Sequence, residues 1–454
     1  MPQDQLEQVA HDLVERAMKA GATAADATVR EGDEFSTTIR LGQIESLKEA
    51  ASKVLGIRVF LGTRSASSYS SDFSPSSLST LVERTLAMAR VTSEDPANGL
   101  PEAAELGRYE ADLALYSADI AALSAEERIG LARRAEQAAL SADSRITNSE
   151  GAGVETGLGT KAYANSLGFV ASYQSSYGSI SVVPVAQEGK NGNTTMQRDY
   201  WYSVGRSAAA LRDPEGVGRE AAGRVLRRLG ARKVSTCRVP VVFDTEMARS
   251  LLGHVFEAVR GDSVYRSASF LAGKLGERVA GANVTILDDG LRPGGFGSRP
   301  FDDEGVAPSV TPVIERGVLR NYLLNSYSAR KLNLHTTGNA SRGVAGPPGV
   351  GPKNFYLQPG TSSAADILKS VKNGFYVTEL IGFGVNVVTG DYSRGAAGLW
   401  IENGELTYPV EEVTIAGTLL EMLNRIAVIG SDLEFRSALA APTLLIEELT
   451  VAGM

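Results

Sequence analysis

Cysteine is almost absent from this chain of 454 residues: Cys237 stands alone. A disulfide within the chain, a cysteine-rich zinc cage and an iron–sulfur ligand set are therefore excluded. Histidine is nearly as scarce, with only His11, His254 and His335, so metal or acid–base chemistry must draw on these three or on carboxylates. Positive charge is in deficit. The 45 Lys and Arg against 53 Asp and Glu leave a net charge of −8 and a pI near 5.3, the wrong sign for neutralising a phosphate backbone, and direct nucleic-acid binding is disfavoured. No stretch approaches the roughly 18 apolar residues of a bilayer span. The opening Met1-Pro2-Gln3-Asp4-Gln5 is polar and acidic rather than basic and then apolar, so a cytoplasmic protein without membrane association is expected.

Nucleotide and hydrolase motifs are missing as well. Gly151-Ala152-Gly153-Val154-Glu155-Thr156 stops one residue short of G-x-G-x-x-G, and Gly382-Phe383-Gly384 has no third glycine. Gly273-Lys274 is followed by Leu275 and has no glycine five residues ahead, which rules out a P-loop, and no G-x-S-x-G nucleophile elbow occurs. The glycines are expected to serve turns and bulges in a strand-rich region.

What is present is an ordinary globular composition, 43% hydrophobic and 22% charged, at a length that predicts two or three domains. Leu6, Val9, Ala10, Leu13 and Ala17 form the stripe of an amphipathic helix over residues 6–20. Short β-like runs at 25–30, 36–41, 44–47 and 54–61 predict an antiparallel meander. Ser74-Pro75 reads as a helix start, as does Ser124 with Glu127, an S/T-x-x-E capping box opening a helix to Ser141. Further strands are expected at 168–173, 179–185 and 198–204. A basic helix over 214–229, with Arg219, Arg224, Arg227 and Arg228, is expected to present a solvated face. From Val239 onward a buried strand, a helix over 246–259 and many short strands follow, with hairpin turns at Glu315-Arg316-Gly317 and Glu402-Asn403-Gly404. A helix over 418–429 and a strand over 443–451 close the chain. Strands grouped with flanking helices, without regular βαβ alternation, predict an α+β fold of antiparallel and mixed sheets. Domains are placed at 1–105, 106–232 and 233–454, the last strand-rich.

One helix is chemically suggestive. His254 and Glu257 lie three residues apart and so share a helix face, a geometry used by metal sites and acid–base pairs alike. Two ligands are too few for a working zinc site, which needs three and an open position. A third would have to come from His335, in a polar loop, or from a carboxylate such as Asp262. The structural alternative is a hydrogen-bonded helix histidine beside a solvated glutamate.

Several segments, in order along nearly the whole chain, resemble the TldD/PmbA family. They are residues 251–280, Asp288-Asp289-Gly290, Phe301-Asp302-Asp303-Glu304-Gly305-Val306, Ile314-Glu315-Arg316-Gly317-Val318-Leu319, the run from Val388 to Gly398, Trp400-Ile401-Glu402-Asn403-Gly404-Glu405, and an amino-terminal run from Gly56 to Asp72. The resemblance implies one of two homologous subunits of a heterodimeric metalloprotease. In that family only the TldD-type chain carries H-E-x-x-x-H, whose histidines hold zinc with a cysteine near the carboxyl terminus, the glutamate serving as base.

Aligned on Leu251-Leu252, those six positions read Gly253, His254, Val255, Phe256, Glu257 and Ala258 here, and residues 431–442 contain no cysteine. Both histidine positions have lost their lone pairs, and the pattern is similar to the PmbA branch, also called TldE, which lacks the zinc motif. The resemblance thus implies a non-catalytic partner of a TldD-type catalytic subunit, without its own cofactor, the zinc residing in the partner, and with unfolded peptide as the shared substrate. Strand addition would suit such a substrate. The alternative is an autonomous metal-dependent peptidase, a homodimer using His254, Glu257 and His335 or Asp262 in a shifted site; it requires the His335 loop to fold over the helix. Descriptions of the family as modulators of DNA gyrase suggest a DNA-associated regulator, against which the net charge argues.

Overall fold

Ala24–Arg40 and Gln43–Leu61 pair antiparallel along their full length, from Ala24 opposite Phe60 to Arg40 opposite Gln43. The turn is only Leu41 and Gly42, with φ of 49° and 77°, the positive-φ pair that matches strand twist. The computed structural model describes residues 2–190 and 193–453. The short runs expected at 25–30, 36–41, 44–47 and 54–61 are therefore two long strands. The polar residues between them stay extended because Ala24–Arg40 is central, its backbone paired on the other side by Ile146–Asn165.

That third strand was not anticipated, since its glycines at 151, 153, 157 and 159 mask any alternation. It pairs with Val170–Lys190, a single strand spanning the two runs expected at 168–185. The sheet runs Arg64–Ser70, Gln43–Leu61, Ala24–Arg40, Ile146–Asn165, Val170–Lys190, Asn193–Arg198, with Trp201–Gly205 also on Val170–Lys190.

Alternate residues divide this sheet into two faces. One is covered by helices. Gln3–Lys19 and Pro75–Val91 pack on Ala27, Val29, Ile57, Val59, Ala162 and Ala164. Ala125–Leu140 and Pro214–Leu226 pack on Ile39, Val154, Ile180 and Val182. The helix starts are as expected. The Ser74 hydroxyl accepts from the Ser77 N–H with Pro75 at the first helical position, and the Glu127 carboxylate accepts from the Ser124 N–H at 2.7 Å while Ser124 Oγ accepts from the Glu127 N–H.

The chain's second half builds a mixed sheet whose pairings close on themselves. Asn373–Ile381 runs parallel to Cys237–Phe243, followed by Leu444–Ala452, Glu405–Thr418 and Asp391–Glu402, which pairs back onto Asn373–Ile381. A Cβ at Gly398 would collide with the Tyr376 carbonyl of the neighbouring strand, and the register shifts at this point, so glycine there does serve a bulge. The hairpin turns are also as expected, with positive φ at Arg316, Gly317, Asn403 and Gly404. A smaller sheet orders Val318–Leu319, Val310–Glu315, Ile286–Asp289, Phe355–Leu357 and Leu439–Ala440. The fold is α+β with antiparallel and mixed sheets.

Two expectations need correction. The helix expected over 418–429 is only Leu419–Asn424, because Ile426–Ile429 is taken up as a strand by Leu444–Ala452. The basic helix does not present a wholly solvated face. Arg224 is 7% exposed, its guanidinium 4.7 Å from the Trp201 ring centroid and within 3.7 Å of Asp199 and Asp244; Arg228 reaches Glu379. Burial beside carboxylates, invisible in the local pattern, decides these positions.

The second face of the large sheet meets the second half of the chain through buried charge. Asp26, fully buried, accepts from Arg58 Nε at 2.9 Å and lies 2.7 Å from Arg342 Nη2. Arg342 also donates to Thr28 Oγ1 at 2.9 Å, and Arg58 lies 3.7 Å from Glu304. Truncating one member strands the others: Asp26→Ala is expected to lower stability by about 3–5 kcal/mol in urea unfolding, since it leaves two buried guanidinium groups short of their anion. A loss under about 1 kcal/mol would mean that water replaces the carboxylate.

Candidate functional site

The helix Thr245–Val259 begins at Asp244, whose carboxylate accepts from the Met247 N–H at 2.9 Å. Ala248, Leu251, Leu252, Val255, Phe256 and Val259 bury one stripe in the largest core, with Phe243, Ile286, Phe355 and Phe375. The opposite stripe carries Glu246, Arg249, Ser250, Gly253, His254 and Glu257, recurring three and four residues apart.

His254 is half-buried. Its ring stands edge-on to Tyr392, with centroids 6.2 Å apart, and its Nε2 is buried without a hydrogen-bond partner among the described residues. Burial first, and Arg394 second, lower its pKa below the ordinary imidazole value, which favours the neutral ring. Arg394 is itself held by Ser250 Oγ at 3.0 Å and the Leu380 carbonyl at 3.1 Å. Glu257 accepts two hydrogen bonds from Arg260 at 3.0 and 2.9 Å, and Arg260 donates to Asp262 at 3.0 and 2.8 Å. The arginine thus gathers both carboxylates, and no hydrogen bond joins His254 to Glu257 among the described residues. The His335 side chain is 99% exposed, 3.9 Å from Glu105. The fold therefore lays its loop in solvent rather than over the helix.

Gly253 and Ala258 occupy different environments. Five residues of helix rotate by about 140° from one to the other. Gly253 faces the carboxyl-terminal segment, where a Cβ built on it would lie 3.7 Å from Leu439 Cδ2. Ala258 is fully buried within the main core. The structure thus brings the first motif position against the segment in which the resemblance places a cysteine, and finds glycine facing leucine. Cys237 sits on the strand Cys237–Phe243, its thiol pushed up by burial. Among the described residues, no three His, Cys, Asp or Glu side chains are grouped to hold a metal ion. Gly253 and Ala258 carry no donor atom in their side chains.

The amino-terminal half of the same stripe holds residues that sequence reasoning missed. Glu246, 5% exposed, accepts from Tyr202 Oη at 3.1 Å, Arg249 at 2.8 Å and Arg436 at 3.2 Å. Arg436 also covers the Trp201 ring at 4.2 Å, and burial followed by Glu246 pushes the Tyr202 phenol up. The aromatic run Tyr200-Trp201-Tyr202 was the only local hint; its ionic partners lie far off in sequence. Just behind, Asp244 is pushed up to about 6 by burial, with Arg224 opposing.

Comparison with known proteins matches the chain to models of three successive domains, described as PmbA/TldA metallopeptidase domains. The models for domain 1, the central domain and the C-terminal domain match residues 25–89, 118–229 and 236–453. Metalloprotease PmbA of Escherichia coli O157:H7 is 40% identical over 429 residues, 94% of this chain and 92% of that protein. A Bacteroides thetaiotaomicron protein described as a modulator of DNA gyrase superposes with a TM-score of 0.92 at 26% identity, covering 100% of both chains. TldE of Thermococcus kodakarensis shares the fold, with a TM-score of 0.87 at 21% identity over 98% of this chain and all of that one. The chain belongs to the PmbA/TldD family. No helix among the described residues is long and apolar enough to cross a membrane.

A pH-dependence follows from Asp244. Its folded-state value of about 6 exceeds the ordinary 3.8, so the folded protein holds the proton more tightly and this group's contribution to stability falls as pH rises through that interval. Asp244→Asn cannot ionise and should escape the fall. The stability difference between variant and wild type should move in the variant's favour by on the order of 3 kcal/mol between about pH 4 and pH 7 in paired denaturation curves. A flat difference would show that Arg224 keeps the carboxylate ionised throughout.

Proposed function

We propose that this chain is a non-catalytic subunit of a TldD/TldE-type metallopeptidase, pairing with a TldD-type catalytic chain and contributing to the binding of unfolded or modified peptide. One observation carries the reading: where the family's metal helix meets the carboxyl-terminal segment, Gly253 faces Leu439, and Ala258 is buried in the core, so neither histidine position offers a donor to a cation. The zinc and its activated water then belong to the partner, and this chain holds none. His254 occupies the glutamate position as a neutral imidazole against Tyr392. Without a carboxylate partner it is poorly placed to act as a base on metal-bound water.

Metal content and cleavage of an unfolded peptide, measured for the purified chain alone and after mixing with a TldD-type subunit, test the proposal. The expected outcome is metal-free, inactive protein that joins an active complex only on mixing. One zinc per chain, with peptidase activity abolished by His254→Ala, would overturn it and establish an autonomous enzyme.

A further inference from the structure

The strands Ala24–Arg40, Ile146–Asn165 and Val170–Lys190 place Arg30, Lys161 and Tyr173 directly opposite one another, Arg30 paired with Lys161 and Lys161 with Tyr173. These three side chains form one wall of a cavity of about 350 Å³, and Arg299, Asp303 and Arg342 from the second half of the chain form the other. Its volume lies at the small end of ligand-binding sites.

Basic side chains outnumber acidic ones in the cavity lining, Arg30, Lys161, Arg299 and Arg342 against Glu31 and Asp303, with Asp26 and Asp302 behind them. Asp303 carries most of the load. Lys161 is in contact with it, Arg30 and Arg299 lie 3.8 and 3.7 Å away, and its second oxygen already accepts from the Arg342 N–H at 2.8 Å. The Arg342 side chain is 2% exposed, and its other contacts are spent on Asp26 and Thr28. Four guanidinium N–H positions remain buried without an acceptor among the described residues: Nε of Arg30, Nε and Nη2 of Arg299, and Nε of Arg342. Crowding shows in Lys161 too, whose pKa is driven well down by burial and then by Arg30, Arg299 and Arg342.

A buried donor without a partner is costly, and the Arg299 guanidinium has two. The Arg30 and Arg299 side chains retain exposed surface in the cavity lining, and a carboxylate or phosphate entering beside them would supply acceptor oxygens and negative charge to guanidinium forks.

We propose that the cavity between the Arg30–Lys161–Tyr173 wall and the Arg299–Arg342 wall is an oxyanion-binding site that takes a carboxylate or phosphate group. The site lies wholly within this chain, and its occupancy does not depend on whether the chain is catalytic or a partner subunit.

Calorimetric titration of the full-length chain alone tests this with three probes: an N-acetylated dipeptide acid, the same dipeptide as its amide, and inorganic phosphate. The acid or phosphate is expected to bind and the amide not. Arg299→Gln and the more exposed Arg30→Gln should each weaken binding about tenfold or more, with melting temperature in the absence of probe unchanged for at least one. Tighter binding of the acid than of phosphate identifies a carboxylate-ended ligand, and the reverse order identifies free phosphate; either supports the site. Absence of binding by both anions, equal binding of acid and amide, or wild-type affinity in both variants would overturn it.

Discussion

Charge buried at the junction between the large sheet and the second half of the chain constrains everything else in this protein. Asp26 reaches Arg58 on the adjacent strand and Arg342 some three hundred residues later, so the sheet's second face cannot separate from the later loops without exposing or stranding ions. Ion pairs of this depth contribute little net stability compared with apolar packing, yet they tolerate only one arrangement of partners. They therefore dictate register. Arg58 must stand opposite Asp26, as it does, and a one-residue slip of its strand would turn Arg58 to the helix-covered face and leave Asp26 behind. The same junction leaves four cations around the cavity at Asp303, so structural and ligand-binding electrostatics share one set of residues.

The helix Thr245–Val259 is held by apolar packing on one side and by polar ties on the other. Its apolar stripe is anchored in the main core, and that packing is indifferent to what the outer stripe carries. Gly253 lies against Leu439, and Ala258 lies inside the core. The outer stripe meanwhile bonds to distant parts of the chain, through Glu246 to Tyr202 and Arg436 and through Ser250 to Arg394. The helix then serves as a tie between the aromatic strand Trp201–Gly205 and the closed sheet.

Features set by short-range chemistry were legible in the amino-acid sequence. Ser74 and Ser124 cap helices because hydroxyl and backbone lie within three residues, and the turns at Arg316-Gly317 and Asn403-Gly404 follow from positive φ. That 253 is glycine and 258 alanine was equally plain, since it is a matter of residue identity. Strand length was not legible. The polar middle of Ala24–Arg40 and the glycine-rich Ile146–Asn165 are extended because each is paired on both edges, and pairing over more than a hundred residues leaves no local periodicity.

Local pattern and residue type were enough to give the α+β class and the family. Which charges are buried together follows from long-range packing. Arg224 reads as one more cation on a basic helix until Asp199 and Asp244 close on it. Likewise Arg30, Lys161, Arg299 and Arg342 are ordinary surface residues by composition. They become a concentrated positive site only where two distant parts of the chain exclude water between them, and the strength of an electrostatic interaction depends on that exclusion.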